Sequence, residues 1–147
     1  PFHEEMFYGA KEEGAFLNGK RIRVSPLKDL KDAVIAFGSC PYEKDRAETL
    51  FPLFYKIFMH CADFRRTGSA ELDLCYVACG RSHGFLEQSL KPWDYAAGSL
   101  ILSEAGGTAK RWAGDALPYL ENADVLAVTS ELETPLRNLL KEWEENI

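Results

Sequence analysis

Phe64-Arg65-Arg66-Thr67-Gly68-Ser69-Ala70, continuing through Leu72-Asp73-Leu74-Cys75-Tyr76-Val77-Ala78-Cys79-Gly80 to Gly84-Phe85-Leu86-Glu87, is the stretch that decides the fold class. Phe64-Arg65-Arg66 reads as a short strand. Ser69 reads as the N-cap of a helix over 70–79 and Gly80 as its stop, because a hydroxyl satisfies orphan N–H groups and glycine accepts the left-handed backbone that ends a helix. Gly84 to Glu87 is the next strand, and a helix over about 93–105 precedes Gly106-Gly107. Strands interleaved with helices at this spacing indicate an α/β layered sheet.

Upstream, Met6-Phe7-Tyr8, Ala15-Phe16-Leu17 and Ile22-Arg23-Val24 are short apolar runs, and Asn18-Gly19 between two of them is a hairpin signal. Residues 5–24 therefore read as antiparallel strands. After Ser25-Pro26, Ala33 to Phe37 reads as a buried strand ended by Gly38, and a helical segment follows over about 43–60, with Pro52 able to kink or divide it. Downstream, Val125 to Val128 is a strand and 131–145 a final helix, amphipathic through Leu132, Leu136, Leu139, Leu140 and Trp143. No repeat, low-complexity tract or linker interrupts the chain, which reads as one unit over 1–147, with hairpin strands in 1–26 and the α/β part in 27–147.

The 147 residues carry 17 Lys plus Arg against 23 Asp plus Glu, a formal charge of -6, with 46% hydrophobic residues. A chain of this size buries about 68–70% of its unfolded surface, so disordered and disulfide-scaffold classes are excluded. Phosphate neutralisation needs clustered cations, and the doublets Lys20-Arg21, Arg65-Arg66 and Lys110-Arg111 are too short for it, so no nucleic-acid partner is expected. No apolar run approaches 18 residues and no signal peptide opens the chain, so no membrane partner is expected either. Cys40, Cys61, Cys75 and Cys79 form no CxxC pair and have no His at zinc spacing. They read as reduced packing residues, which points to a cytoplasmic location. Pro1 in place of an initiator Met reads as a piece of a longer protein. A sheet cut at that point leaves strand edges and apolar surface to be covered, so a homodimer or larger assembly is expected.

The chemistry-bearing residues centre on Glu87-Gln88-Ser89-Leu90-Lys91-Pro92-Trp93-Asp94-Tyr95-Ala96-Ala97-Gly98. Asp94, just after a proline at a helix start, lies where free N–H groups and the helix dipole favour negative charge. It reads either as a helix-terminus acid only or as half of an acidic site with Glu87. Glu87 in turn reads either as a solvated loop acid or as a carboxylate converging from the sheet edge. Two such carboxylates would suit a hard cation such as Mg²⁺. The turn Gly68-Ser69-Ala70 either merely caps its helix or offers its amides to a phosphate or sugar hydroxyls.

Together, Arg65-Arg66-Thr67-Gly68-Ser69-Ala70, Leu72 to Gly80, Glu87, Pro92-Trp93-Asp94-Tyr95-Ala96-Ala97-Gly98 and Glu104-Ala105-Gly106-Gly107 closely resemble the inositol monophosphatase family. Gly14-Ala15-Phe16-Leu17-Asn18-Gly19 through Val24-Ser25 is similar to the family's segment after its first metal motif. The resemblance implies the C-terminal part of a layered α/β/α/β/α sugar-phosphatase fold and a Mg²⁺-dependent, lithium-sensitive phosphomonoesterase. It implies a small-molecule phosphate monoester as substrate, Asp94 as a catalytic metal ligand, Glu87 on substrate hydroxyls, and Gly68, Ser69 and Ala70 against the sugar or inositol ring. The family's other ligands, a Glu and an Asp-Pro-x-Asp-Gly-Thr motif, have no match in these residues, so the chain alone is expected to be inactive. His83 stands where members often carry an acid. With His3 and His60 it reads as a structural or surface group. The rival readings are a bisphosphate nucleotidase or fructose-1,6-bisphosphatase of the same superfamily, and a non-catalytic binding or oligomerisation module.

Overall fold

Asn18 and Gly19 both take left-handed backbone, with φ of 49° and 79°, which is the geometry a two-residue hairpin turn requires. In the computed structural model, which describes residues 4–146, this turn joins β2 (Gly14–Leu17) to β3 (Lys20–Arg21), with Leu17 opposite Lys20. The Asn18 side chain does more than permit the turn, since its Oδ1 accepts the Met6 N–H at 2.8 Å. β1 (Phe7–Ala10) pairs antiparallel with β2 and completes a three-stranded sheet. The expected 1–26 hairpin region thus starts, among the described residues, at Phe7, and His3 lies outside them.

The second sheet has five strands in the order β5-β4-β6-β8-β7. β4 (Val34–Phe37) lies parallel to both β5 (Asp63–Arg65) and β6 (Gly84–Leu90), while β8 (Ala123–Thr129) is antiparallel to β6 and to β7 (Gly107–Arg111). Parallel neighbours need long crossovers. α1 (Ala47–Phe58) supplies one between β4 and β5, and α2 (Ala70–Ala78) lies between β5 and β6. α3 (Ala96–Glu104) and α4 (Glu133–Glu144) complete the helices of the described residues.

Side-chain alternation along the strands divides two cores. Phe85, Val125 and Ala127 face α2 and α3, whose Leu74, Val77 and Leu102 are fully buried with Ala15 of β2. Leu86, Leu126 and Val128 face the other way, onto Leu50, Leu53, Ile57, Leu136 and Trp143 of α1 and α4. The layers therefore run three-stranded sheet, α2 and α3, five-stranded sheet, α1 and α4, a mixed α/β architecture as expected. Each fully buried Leu, Val or Phe contributes about 1.5–3 kcal/mol. Trp143 Nε1 donates to Thr49 O at 2.9 Å, joining α4 to α1, and its ring meets Trp112 edge-on at 5.8 Å. Glu104, at the end of α3, accepts the Glu12 and Gly14 N–H groups, both at 2.9 Å, and draws the β1–β2 hairpin onto that helix.

Several elements differ from expectation. α1 runs through Pro52 undivided, because the proline sits on an exposed face where the carbonyl left without its partner can be solvated. A 3₁₀ turn at Lys44–Arg46 precedes it, and another at Ser130–Leu132 precedes α4. The helix expected over 93–105 is a 3₁₀ turn, Pro92–Asp94, followed after Tyr95 by α3. β7 was not expected at all. No helix of the described residues is long and apolar enough to cross a membrane, and all four cysteines are free, two of them buried.

Candidate active site

The parallel strands β4, β5 and β6 deliver their following residues to one end of the sheet, the edge at which open α/β sheets bind ligands. A cleft of about 470 Å³ opens there, and Gly68, Ser69, Ala70, Glu87 and Asp94 all line it. All five residues singled out in the sequence are thus brought together. Arg66, Glu71, Asp73, Gly38 and Cys40 line the same space and were missed.

The Gly68–Ala70 turn is built locally. Gly68 has φ +88°, and Ser69 Oγ accepts the Leu72 N–H at 3.4 Å as the N-cap of α2. Behind it Asp73, only 2% exposed, accepts from Thr67 Oγ1 at 2.9 Å and so fixes the turn from beneath. Burial pushes the Asp73 pKa up to about 6, against the opposing pull of the Thr67 hydroxyl and the Arg66 charge.

Glu87 lies within β6, before the irregularity that separates it from Leu90, so the strand continues past the point where it was expected to end. Its carboxylate folds over Gly38: a Cβ on that glycine would fall 1.8 Å from Glu87 Cδ. The glycine that ends β4 is therefore what gives Glu87 its place. Burial raises the Glu87 pKa, the Cys40 N–H and the Arg66 charge lower it, and Asp73 and Asp94 raise it further. Cys40 itself is a buried thiol raised to about 11 by desolvation, with Sγ donating to Gln88 O at 3.1 Å.

Asp94 is the last residue of the 3₁₀ turn and not part of the first turn of α3. Its N–H donates to Lys91 O at 2.8 Å, and its Oδ2 accepts from Lys91 N at 3.2 Å. The N–H groups at the start of α3 go elsewhere: Ala97 N donates to Glu71 Oε1 at 3.2 Å and Gly98 N to Glu71 Oε2 at 2.5 Å. The acid held by the α3 terminus is thus Glu71, whereas Asp94 closes the short 3₁₀ turn ahead of it. Beside Asp94, Trp93 is 72% exposed, with Lys91 Nζ 5.3 Å from the centre of its ring.

His83 takes the role expected of it. Its Nδ1 accepts the Val34 N–H at 3.0 Å, its own N–H donates to Val34 O at 2.9 Å, and burial lowers its pKa. The ring is a neutral clamp between strands, away from the cleft. His60 is exposed and its Nδ1 meets Lys56 O.

Asp94 and Glu87 are half-buried oxygen donors facing one cleft, the ligand chemistry Mg²⁺ accepts when water and phosphate complete its shell. Among the described residues no group of three or more His, Cys, Asp or Glu gathers to hold a metal by itself. The donors present thus fit a partial ligand set.

Comparison with known proteins identifies the family. The Nus factor SuhB of Vibrio cholerae is 45% identical over 127 residues, covering 86% of this chain and 47% of that protein. The Nus factor SuhB of Escherichia coli is 47% identical over 114 residues, or 78% of this chain and 43% of that protein. The chain spans about half the length of the curated relatives it matches. Among solved structures, the extragenic suppressor protein suhB of Bartonella henselae superposes with a TM-score of 0.90 at 34% identity, covering 97% of this chain and 54% of that one. Inositol monophosphatase from Anabaena gives a TM-score of 0.88, also at 34% identity, over 97% and 56%. The sequence pattern of the inositol monophosphatase family matches residues 1–145, and the chain belongs to that family.

Proposed function

We propose that these residues form the leaving-group side of a Mg²⁺-dependent phosphomonoesterase acting on inositol monophosphate or a related sugar phosphate. One observation carries the reading: Asp94, Glu87 and the Gly68–Ala70 turn, which come from three separate elements, line one cleft. Bound Mg²⁺ would neutralise charge on the phosphate and departing oxygen and make its own water more acidic. Asp94 would hold the metal through the oxygen that Lys91 N does not occupy. Glu87, kept over Gly38, would accept hydrogen bonds from ring hydroxyls, and the exposed 68–70 turn would seat the ring. Ionised Glu87 is the accepting form. Its raised pKa means that ring binding weakens as pH falls through that value.

The test is an assay of two chains against inositol monophosphate with Mg²⁺. The 147 residues alone should hydrolyse nothing measurable, since one metal-binding Asp cannot by itself fix Mg²⁺ and the attacking water. A longer chain carrying the Asp-Pro-x-Asp-Gly-Thr motif should be active. In it Asp94→Asn should lower kcat by about 100-fold or more, while Glu87→Gln should act mainly on KM. Full activity of Asp94→Asn at saturating Mg²⁺ would falsify the metal assignment. The name Nus factor carried by the curated relatives favours a second reading, a binding role without catalysis, which an inactive longer chain would support. Homodimerisation belongs to either reading. Phe51, Tyr55 and Phe58, 54%, 67% and 48% exposed, form an aromatic stripe on α1 that suits self-association. A monomer in sedimentation at high concentration would count against it.

A further inference from the structure

α3 has no cap of its own. Tyr95, its N-cap, makes no side-chain bond to the helix, and Asp94 turns back to Lys91 N. The Glu71 carboxylate instead takes two N–H groups of the α3 first turn, from Ala97 and Gly98. An anion there satisfies two of the four orphan donors and meets the positive end of the helix dipole. Gly98 makes the approach possible, since a Cβ would lie 2.5 Å from Glu71 Oε2 and 2.7 Å from Leu74 Cβ. Glu71 itself belongs to the first turn of α2, two residues after the N-cap Ser69 that sits in the 68–70 turn. A single side chain therefore joins the two helix starts that flank the cleft.

We propose that Glu71 is a positioning residue: by occupying the α3 N–H groups it fixes the 68–70 turn against the 92–94 turn and keeps the Asp94 carboxylate free for the cleft. Asp94 is the acid nearest in sequence to those N–H groups, and a carboxylate just ahead of a helix is drawn to uncapped donors. Without Glu71, Asp94 turns toward α3 and away from the position of a metal. This rests on the reading of Asp94 as a metal ligand and adds the group that holds it ready.

Mn²⁺ titration of the 147-residue chain, followed by electron paramagnetic resonance and by paramagnetic broadening of amide signals near Asp94, tests it together with amide hydrogen exchange. In Glu71→Ala the Ala97 and Gly98 amides should exchange about 10-fold faster or more, and Mn²⁺ affinity should fall roughly 10-fold, as for loss of a group that orients a ligand. Glu71→Gln keeps one of the two acceptor oxygens and no charge, so its Mn²⁺ affinity should fall less than that of Glu71→Ala, by about 3-fold. Equal weakening in both variants would mean that only the charge of Glu71 matters and would overturn the proposal, as would affinity unchanged in both. If the unsubstituted chain shows no Mn²⁺ effect near Asp94, the metal reading fails on its own. The exchange rates then judge the cap by itself: faster exchange at Ala97 and Gly98 upholds Glu71 as the group that closes α3, and unchanged rates overturn it.

Discussion

The start of α2 and the turn just ahead of α3 line the same cleft, and the two helices are closed by opposite means. α2 carries its own cap, Ser69, whose hydroxyl reaches the N–H of Leu72 three residues on. α3 borrows its cap from Glu71, 26 and 27 residues before the two amides it holds. A local cap stabilises one helix and nothing else. A borrowed cap makes two helices answer to one carboxylate, so its loss alters the cleft as well as the stability.

Four substitutions break or sharpen this contrast. Gly98→Val fills the space where Glu71 and Leu74 meet α3, and overpacking of this kind should cost about 3 kcal/mol in urea denaturation, the largest effect of the four. Asp73→Asn tests the support beneath the locally capped turn. Because the folded-state pKa of Asp73 is raised from 3.8 to about 6, its protonated form favours the fold below pH 3.8, and that contribution is lost as pH rises through about 6. The neutral Asn should therefore stabilise the protein by up to about 2 kcal/mol at pH 7.5, with the gain fading near pH 4 in thermal melts at each pH. Ser69→Ala should cost about 1 kcal/mol, with no change in the exchange of the α3 amides. Asp94→Asn should change stability least, by less than about 0.5 kcal/mol, since Glu71 and not Asp94 closes α3. A loss above about 1 kcal/mol would show that Asp94 shares the capping after all.

The same division governs what the sequence discloses. Asn18-Gly19, the Ser69 cap and the stop at Gly80, with φ +77°, are settled by neighbours in the chain, and each is readable without a structure. Both carboxylates and the 68–70 turn were singled out through the family resemblance, since spacing and residue type alone left each of them open to a purely structural reading. Glu71 was not, since nothing local marks an acid in one helix as the cap of another. Gly38 was read as a strand end, but its closeness to Glu87 depends on β4 and β6 lying side by side. β7 escaped notice because Gly107-Thr108-Ala109-Lys110-Arg111 carries no large apolar side chain, and every residue in it is half-buried. Register with β8 holds it in place, together with Thr108 and Lys110 donating to Glu133 at 3.0 and 2.8 Å.

The three tryptophans divide between the cleft and the core. Trp93 stands at the cleft rim in water, whereas Trp112 and Trp143 are 6% and 9% exposed and touch each other. Indole emission shifts with solvation, so the protein carries two optical reporters of different colour without any label. A quencher dissolved in water reaches the first and is shut out from the pair. Filling of the cleft alters the red component while the blue one stays constant, and separation of α4 from α1 does the reverse. One emission spectrum thus distinguishes an occupied protein from an opening one.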